Sequence, residues 1–126
     1  MDCLFCKIIK GEIPSKTIYE DELVKVFLDI NPKTDGHCLM IPKSHIEEID
    51  EITPELITHM LMVTKKISKL LKEKLGMDKL AIMRIGQDVN HLHFHLIPQY
   101  PGDHWEINCN QKEMKNVDEI FQTITK

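Results

Sequence analysis

Hydrophobic and polar positions along the chain predict several short strands and one long helix. Runs rich in β-branched and aromatic residues favour strands over residues 16–20, 23–30, 37–41, 80–85 and 89–97. Residues 31–36 read Asn-Pro-Lys-Thr-Asp-Gly and residues 86–88 read Gly-Gln-Asp, which is the chemistry of turns. We therefore expect the first two strands, and likewise the last two, to form antiparallel hairpins.

The main helix is predicted between Thr53 and Gly76. Thr53 suits the N-cap, Pro54 the first helical position and Gly76 the C-terminal end. Apolar residues recur between them at positions 56, 60, 63, 67, 70, 71 and 75, which is the spacing of one helix face. A polar stretch over residues 99–111 then precedes a short C-terminal helix. The expected fold is α+β, an antiparallel meander sheet with one long helix across a face, in a single domain spanning residues 1–126.

Length and charge narrow the function further. A chain of 126 residues is about one domain long, and 42% hydrophobic with 29% charged residues is typical of a globular protein. The net charge of −4 argues against a nucleic-acid-binding protein, so the lysines of the main helix are interpreted as a solvated face. The sequence has no apolar run of signal or membrane length. We therefore expect a cytoplasmic protein with no membrane partner and with its four cysteines reduced.

Three histidines at alternate positions carry the strongest chemical signal. In an extended strand His91, His93 and His95 face one side, while Leu92 and Phe94 face the other. Neighbours in such a row lie about 6.6–6.8 Å apart, so one metal ion can hold two of them but hardly all three. A neutral imidazole nitrogen is a nucleophile near pH 7, and phosphorus is its natural target.

A second candidate cluster begins with Cys3 and Cys6. Their spacing is that of metal ligands, but two thiolates supply only half of a tetrahedral zinc site, so two further N or S donors are needed. A thioredoxin-like redox pair is disfavoured because the two cysteines precede no strand-to-helix turn. Cys38 and Cys109 are interpreted as a packed thiol and a loop residue.

Residues 91–97, which read His-Leu-His-Phe-His-Leu-Ile, resemble the defining motif of the histidine triad (HIT) superfamily of nucleotide hydrolases and transferases. Further blocks that look like those of the family follow in order at residues 3–9, 11–14, 19–22, 27–32, 36–37 and 41–46. The resemblance covers roughly residues 3–98 and is strongest to the bacterial Hint-type branch. It implies a homodimer that acts on purine nucleotides.

The resemblance also implies a role for individual residues. His93 is expected to attack the α-phosphorus and form a nucleotidyl-imidazole that water then hydrolyses. His95 is expected to bond a phosphate oxygen or the leaving group, and His37 to orient and polarise the nucleophile. Asp29 is expected to bind the ribose hydroxyls. The remaining nucleotide-binding residues implied are Leu4, Phe5, Ile8, Phe27 and Ile30 around the base, and Gln87 and Asp88, with His95, at the phosphates.

By the same resemblance, a structural Zn²⁺ is held by Cys3, Cys6, His45 and His91. The apolar residues assigned to the base could equally be ordinary core. Two other functions stay open at this stage: a nucleotide-binding module of the same fold with little turnover, and a metallohydrolase with a catalytic zinc on His91 and His93.

The sequence departs from the family's pattern just before the triad. Residues 83–85 run almost directly into residues 86–90, so a short loop is expected there, and Asp88 stands where relatives carry a small or hydroxyl residue. A carboxylate facing a phosphate is repulsive. Arg84, the only arginine, is near enough in sequence to pair with Asp88 or to reach the phosphates, or else to be a solvated cation.

Overall fold

The computed structural model describes residues 3–86, 88–106, 111 and 113–126. A short helix opens the described chain, five strands and a long helix follow, and a second short helix closes it. The elements are α1 (Leu4–Ile9), β1 (Thr17–Glu20), β2 (Val24–Leu28), β3 (Cys38–Pro42), α2 (Pro54–Leu75), β4 (Lys79–Met83), β5 (Phe94–Gln99) and α3 (Val117–Thr125). The predicted α+β class, with its long helix and its short C-terminal helix, is confirmed.

The five strands form one antiparallel sheet in the order β1-β2-β3-β5-β4. The first three strands follow one another as a meander. The chain then crosses the sheet through α2 and forms β4 at the far edge. It returns as β5, which pairs with both β3 and β4 and lies between them. This return places His95 opposite Leu39 of β3 on one side and opposite Met83 of β4 on the other.

The last strand begins later than the sequence pattern indicates. It starts at Phe94, not at residue 89, because pairing with β3 reaches only from Met40↔Phe94 to Cys38↔Leu96. The expected tight turn at 86–88 is instead a connection over residues 84–93, and the backbone N–H of Leu92 donates to the carbonyl of Ile46 at 2.6 Å.

Pro98 lies inside β5 and does not end it. Beyond Leu96 only β4 pairs with this strand, so the missing N–H of proline falls where β3 no longer needs a partner.

Helix α2 has the predicted ends. The hydroxyl of Thr53 accepts the backbone N–H of Leu56 at 3.2 Å, Pro54 opens the helix, and Gly76 closes it in the left-handed region at φ +70°. Its apolar face packs on one side of the sheet in a core formed by Met60, Val63, Ile67, Leu71, Val24, Val26, Met40 and Leu96.

The opposite side of the sheet carries α1. Strand residues alternate between the two faces, so Phe27, Leu39 and Ile41 point away from α2 and pack against Phe5 and Ile8. His95 lies directly opposite Leu39 and shares this face. The histidine side of β5 is therefore the side covered by the N-terminal segment.

A polar hub at the turn between β1 and β2 ties this hairpin to α2. The carboxylate of Asp21 accepts the backbone N–H groups of Leu23 at 2.8 Å and Val24 at 2.9 Å. It also accepts the hydroxyl of Tyr19 and Nε2–H of His59, each at 2.7 Å. Partial burial alone would raise the pKa of Asp21, but these hydrogen bonds outweigh burial and hold it well below its usual range.

Helix α3 presents an apolar stripe that no described residue covers. Val117, Ile120, Phe121 and Ile124 recur at helical spacing and are exposed by 80%, 40%, 59% and 75%. No helix within residues 3–86, 88–106, 111 and 113–126 has the length and apolarity needed to span a bilayer. A single domain over residues 1–126 stays a prediction.

Candidate active site and metal cluster

Three imidazoles meet at the start of β5. His37 directly precedes β3, His93 directly precedes β5, and His95 lies within β5. Antiparallel pairing of β3 with β5 brings these three side chains together. The ring centroids of His93 and His95 are 5.3 Å apart, and those of His37 and His95 are 5.2 Å apart. The sheet thus assembles the three residues expected to act on phosphorus.

The proton of His93 is assigned by its backbone partner. Nδ1 lies 2.7 Å from the carbonyl oxygen of His91. A carbonyl can only accept, so Nδ1–H donates and Nε2 keeps the lone pair. Phe5 packs edge-on against the ring with centroids 5.0 Å apart. His93 therefore has a fixed orientation and the tautomer that a nucleophile needs.

His37 and His95 form a directional chain of hydrogen bonds. The backbone N–H of Lys33 lies 3.0 Å from Nδ1 of His37, and since an N–H can only donate, the proton of neutral His37 is on Nε2. Nε2–H donates to Nδ1 of His95 at 2.9 Å. Neutral His95 then carries its own proton on Nε2, which is a hydrogen-bond donor for an anion.

Burial keeps both of these imidazoles neutral. Loss of solvation lowers the pKa of His37, and the attraction of Asp29, whose carboxylate lies 3.4 Å from Nε2, only partly opposes it. Burial, together with His93 and His37, lowers the pKa of His95, while Asp29 and Asp88 pull in the other direction. His37 and His93 are only 2% exposed, so the open side of the cluster is the side of the half-buried Asp29 and His95.

The residues expected around a nucleotide base fall into two groups. Phe5, Ile8 and Phe27 are buried in one cluster beneath the histidines, and the rings of Phe5 and Phe27 meet edge-on at 5.8 Å. Leu4 and Ile30 are exposed by 46% and 92% at the surface. Asp29 caps the turn after β2, where its Oδ1 accepts the backbone N–H of Asn31 at 2.9 Å.

Of the two residues expected at the phosphates, Gln87 lies outside the described residues, and Asp88 is exposed on the connection before the triad. Arg84 differs from the expectation. Its guanidinium donates to the carbonyls of Ile85 at 2.8 Å and Glu47 at 2.9 Å and lies 3.9 Å from the carboxylate of Glu48, and no contact with Asp88 is seen. The end of β4 adjoins the segment around Glu47, and Arg84 bridges the two.

Cys3, Cys6, His45 and His91 converge with their donor atoms within 4.8 Å of one another. The S···N separations are 3.4 Å for Cys3 to His91, 3.3 Å for Cys6 to His45 and 3.5 Å for Cys6 to His91. A tetrahedral zinc with ordinary Zn–S and Zn–N bonds requires about 3.6 Å between such atoms. The donor set therefore fits zinc in both chemistry and size.

Both histidines of this cluster direct the correct nitrogen at it. Nε2–H of His91 donates to the carbonyl of Pro42 at 2.8 Å, and Nε2–H of His45 donates to the carboxylate of Glu47 at 3.2 Å. Each Nδ1 is left as a lone pair facing the thiols, which is the outer-sphere arrangement typical of zinc-bound histidines. Burial and the neighbouring Cys3 raise the pKa of the Cys6 thiol. A bound cation would lower this pKa and favour the thiolate.

Asp29, His37 and His95 form a second group whose donor atoms could surround a metal ion. A metal on Nε2 of His37 would require the ring proton to move to Nδ1, where it would face the backbone N–H of Lys33. The group is therefore a hydrogen-bonded one. If all four residues of the cysteine cluster bound one zinc ion, its tetrahedral coordination would be complete and no position would be open for a catalytic water.

Sequence reasoning missed the groups that set the protons. The carbonyls of Pro42 and His91 and the amide of Lys33 are backbone groups, and no side-chain pattern signals them. Glu47 did leave a signal, because a carboxylate two residues after a candidate ligand histidine is well placed to orient it.

The sequence matches the HIT domain family over residues 10–102. It is 44% identical over 127 residues to an uncharacterized HIT-like protein of Methanocaldococcus jannaschii, covering 97% of this chain and 98% of that one. It is 39% identical over 104 residues to an adenosine 5'-monophosphoramidase of Schizosaccharomyces pombe, covering 79% and 75%.

A solved structure of a zinc-bound histidine triad protein from Mycobacterium smegmatis is also similar. It is 38% identical, with a TM-score of 0.77 and coverage of 82% of this chain and 78% of that chain. The histidine motif, the fold and these matches agree, and the chain belongs to the histidine triad family.

Proposed function

We propose that the chain is a nucleotide hydrolase or nucleotidyl transferase that cleaves purine nucleotide derivatives at the α-phosphorus, with His93 as the nucleophile. One observation carries the proposal: His93 has its Nε2 lone pair fixed by a backbone carbonyl, beside a neutral His95 that offers an N–H. The phosphoramidase activity named for the fission yeast relative supports the same reaction class. Phosphoramidates, adenylylated amines and dinucleoside polyphosphates are the candidate substrates.

The reaction has two steps. Nε2 of His93 forms a bond to the α-phosphorus, and the leaving group departs with the bonding electron pair and takes a proton from solvent. Water then attacks the same phosphorus and releases a proton to solvent, the P–N bond breaks, and its electron pair returns to Nε2 of His93. Throughout, Nε2–H of His95 donates to a phosphate oxygen. Asp29, whose carboxylate lies 3.4 Å from Nε2 of His37 on the open side of the cluster, is the residue proposed to bind the ribose.

Replacement of the nucleophile tests the proposal. His93→Ala is expected to lower kcat on a nucleoside phosphoramidate by about 10³-fold or more, because it removes a bond made only along the reaction path. Nucleoside monophosphate binding should remain. His104→Ala, at an exposed position outside the cluster, is the control. Intact mass after a rapid quench in alkaline denaturant, which preserves the acid-labile P–N bond, should show the nucleotidyl adduct only in protein that retains His93.

Two results would reject this function. Retention of more than a tenth of the activity by His93→Ala would exclude His93 as the nucleophile. Tight nucleotide binding by the unmodified protein, without turnover of any of the three substrate classes, would identify the alternative, a binding module of the same fold.

We also propose that the cysteine cluster holds a structural Zn²⁺. The donor distances and the two outer-sphere hydrogen bonds support this assignment, and the relative from Mycobacterium smegmatis is zinc-bound. The metal would join the N-terminal segment to the residue at the start of the triad, and the chemistry it supplies is charge neutralisation of two thiolates. If zinc were catalytic, chelation would stop turnover before it lowered the melting temperature.

The protein is further proposed to be a cytoplasmic homodimer. Among the described residues, Cys3, Cys6 and Cys38 form no disulfide, which fits a reducing compartment. The uncovered apolar stripe of α3 supports a second copy as its partner. Phe121→Glu should reduce the dimer fraction in analytical ultracentrifugation, and a wild-type protein that sediments as a monomer would contradict the dimer.

A further inference from the structure

The loop between β2 and β3 controls the position of a ring proton on its own last residue, His37, and through it that of His95. This loop, residues 29–37, begins at Asp29 and ends at His37, and the backbone N–H of Lys33 points back at Nδ1 of His37. This amide, together with the Asp29 carboxylate 3.4 Å from Nε2, determines which nitrogen of His37 is protonated. Through the bond from His37 to His95, it also decides which nitrogen of His95 faces the substrate side.

Two side-chain hydroxyls hold the loop against the end of β5. Oγ1 of Thr34 donates to the carbonyl of Pro98 at 2.7 Å, and the hydroxyl of Tyr100 donates to the carbonyl of Asp35 at 2.6 Å. The loop donates the first of these hydrogen bonds and accepts the second. The two loop residues that these bonds anchor, Thr34 and Asp35, directly follow Lys33 in the chain.

We propose that Thr34 and Tyr100 are positioning residues that fix the tautomers of His37 and His95 by holding the amide of Lys33 in place. If the loop relaxes, Nδ1 of His37 loses its obligatory donor and the proton can move there from Nε2. Nε2 of His37 then accepts, so the proton of His95 moves to Nδ1, and Nε2 of His95 no longer donates to a phosphate oxygen. No net charge changes, which separates this effect from a shift in titration.

The kinetic consequence of this inference rests on the proposed function, whereas the tautomer assignment does not. Nitrogen-15 NMR of the histidine rings in zinc-loaded protein reports each tautomer directly. The unmodified protein should show His37 and His95 as the Nε2–H form. Tyr100→Phe, which removes one hydroxyl and keeps the ring, should give a mixture of the two forms at both histidines.

The matched control is Tyr19→Phe. Tyr19 is the other tyrosine of the chain, and its hydroxyl also donates a short hydrogen bond, but to Asp21 at the hub of the β1–β2 turn. This variant should leave both ring tautomers unchanged. In the kinetic arm, Tyr100→Phe should lower kcat about tenfold through the lost donor to phosphate, with KM changed less than twofold, while Tyr19→Phe changes neither.

Thr34→Val provides a second test, since it keeps the shape of the side chain and removes the donor to Pro98. The proposal is overturned if both Tyr100→Phe and Thr34→Val keep the wild-type tautomers, or if Tyr19→Phe alters them equally. If the tautomers respond as expected but the unmodified protein turns over no nucleotide, the proposed function fails and the positioning role stands.

Discussion

Gly36→Ala should destabilise the fold more than the same change at Gly102. Both glycines have φ of +88°, where an L side chain is strained. A Cβ at Gly36 would lie 2.7 Å from Cδ1 of Leu75 and 3.3 Å from Cγ of Pro98, whereas nothing lies within 4 Å of a Cβ at Gly102. The pair therefore separates backbone strain from steric overlap at one dihedral angle.

The two contributions can be given magnitudes. Left-handed backbone costs a non-glycine residue roughly 1–2 kcal/mol, and this applies to both variants. Overpacking costs roughly 1–3 kcal/mol, with the lower end expected here because the side chain of Leu75 is 45% exposed and can turn away. The ring of Pro98 is held in β5 and cannot turn away. We expect a loss of about 2–3 kcal/mol for Gly36→Ala, about 1 kcal/mol more than for Gly102→Ala.

Urea denaturation of both variants beside the unmodified protein measures the difference, provided that the slopes agree. Equal losses of unfolding free energy would show that β5 and α2 leave room beside Gly36, contrary to the packing described. If neither variant were destabilised, the positive φ at both turns would be refuted.

Three further predictions concern zinc, phosphate binding and acid stability. Cys3→Ser should remove most of the zinc, which is expected at about one per chain and is measured by metal analysis of chelator-free protein. Cys38→Ser should not remove it, because Cys38 lies outside the cluster. Equal zinc in the unmodified protein and in both variants would contradict the site. Asp88→Ser should tighten nucleoside monophosphate binding by more than about twofold, roughly 0.4 kcal/mol, because it removes a carboxylate whose charge acts on His95, the histidine proposed to bind the phosphate. An unchanged Kd by calorimetry would place Asp88 outside the site. Asp21→Asn should destabilise the protein at pH 7. The depressed pKa of Asp21 contributes stability above the ordinary Asp pKa that is lost in more acid solution, so the deficit should shrink by about 1.4 kcal/mol per pH unit below about 3.9, and a deficit independent of pH would refute the hub.

The parts of the fold that could be predicted are those whose causes are local. The ends of α2 follow from Thr53, Pro54 and Gly76, which act on backbone groups within a few residues. The start of β5 depends instead on how far β3 extends beside it, and the alternating histidines gave no sign that pairing begins only at Phe94.

The site divides in the same way. The spacing of Cys3 and Cys6 indicated half of a metal site, and the resemblance to the HIT family supplied His45 and His91; the structure brings these four donors together. The placing of each ring proton depends on backbone atoms that approach only in the folded chain, so the sequence could not indicate it. The position of Arg84 was missed for a related reason, since its partner is a carbonyl 37 residues away.

The position of β5 between β3 and β4 has a consequence for synthesis on the ribosome. Cys38 of β3 pairs with Leu96 of β5, so the side of β3 that faces away from β2 stays unpaired while α2 and β4 are translated. Pairing across such long sequence separations is slow, and an apolar strand left open in the meantime can join other chains. A nascent or prematurely terminated chain therefore exposes the unpaired edge of β3, which is prone to aggregation, and lacks the imidazole cluster. The cluster forms only when nearly the whole sheet is in place.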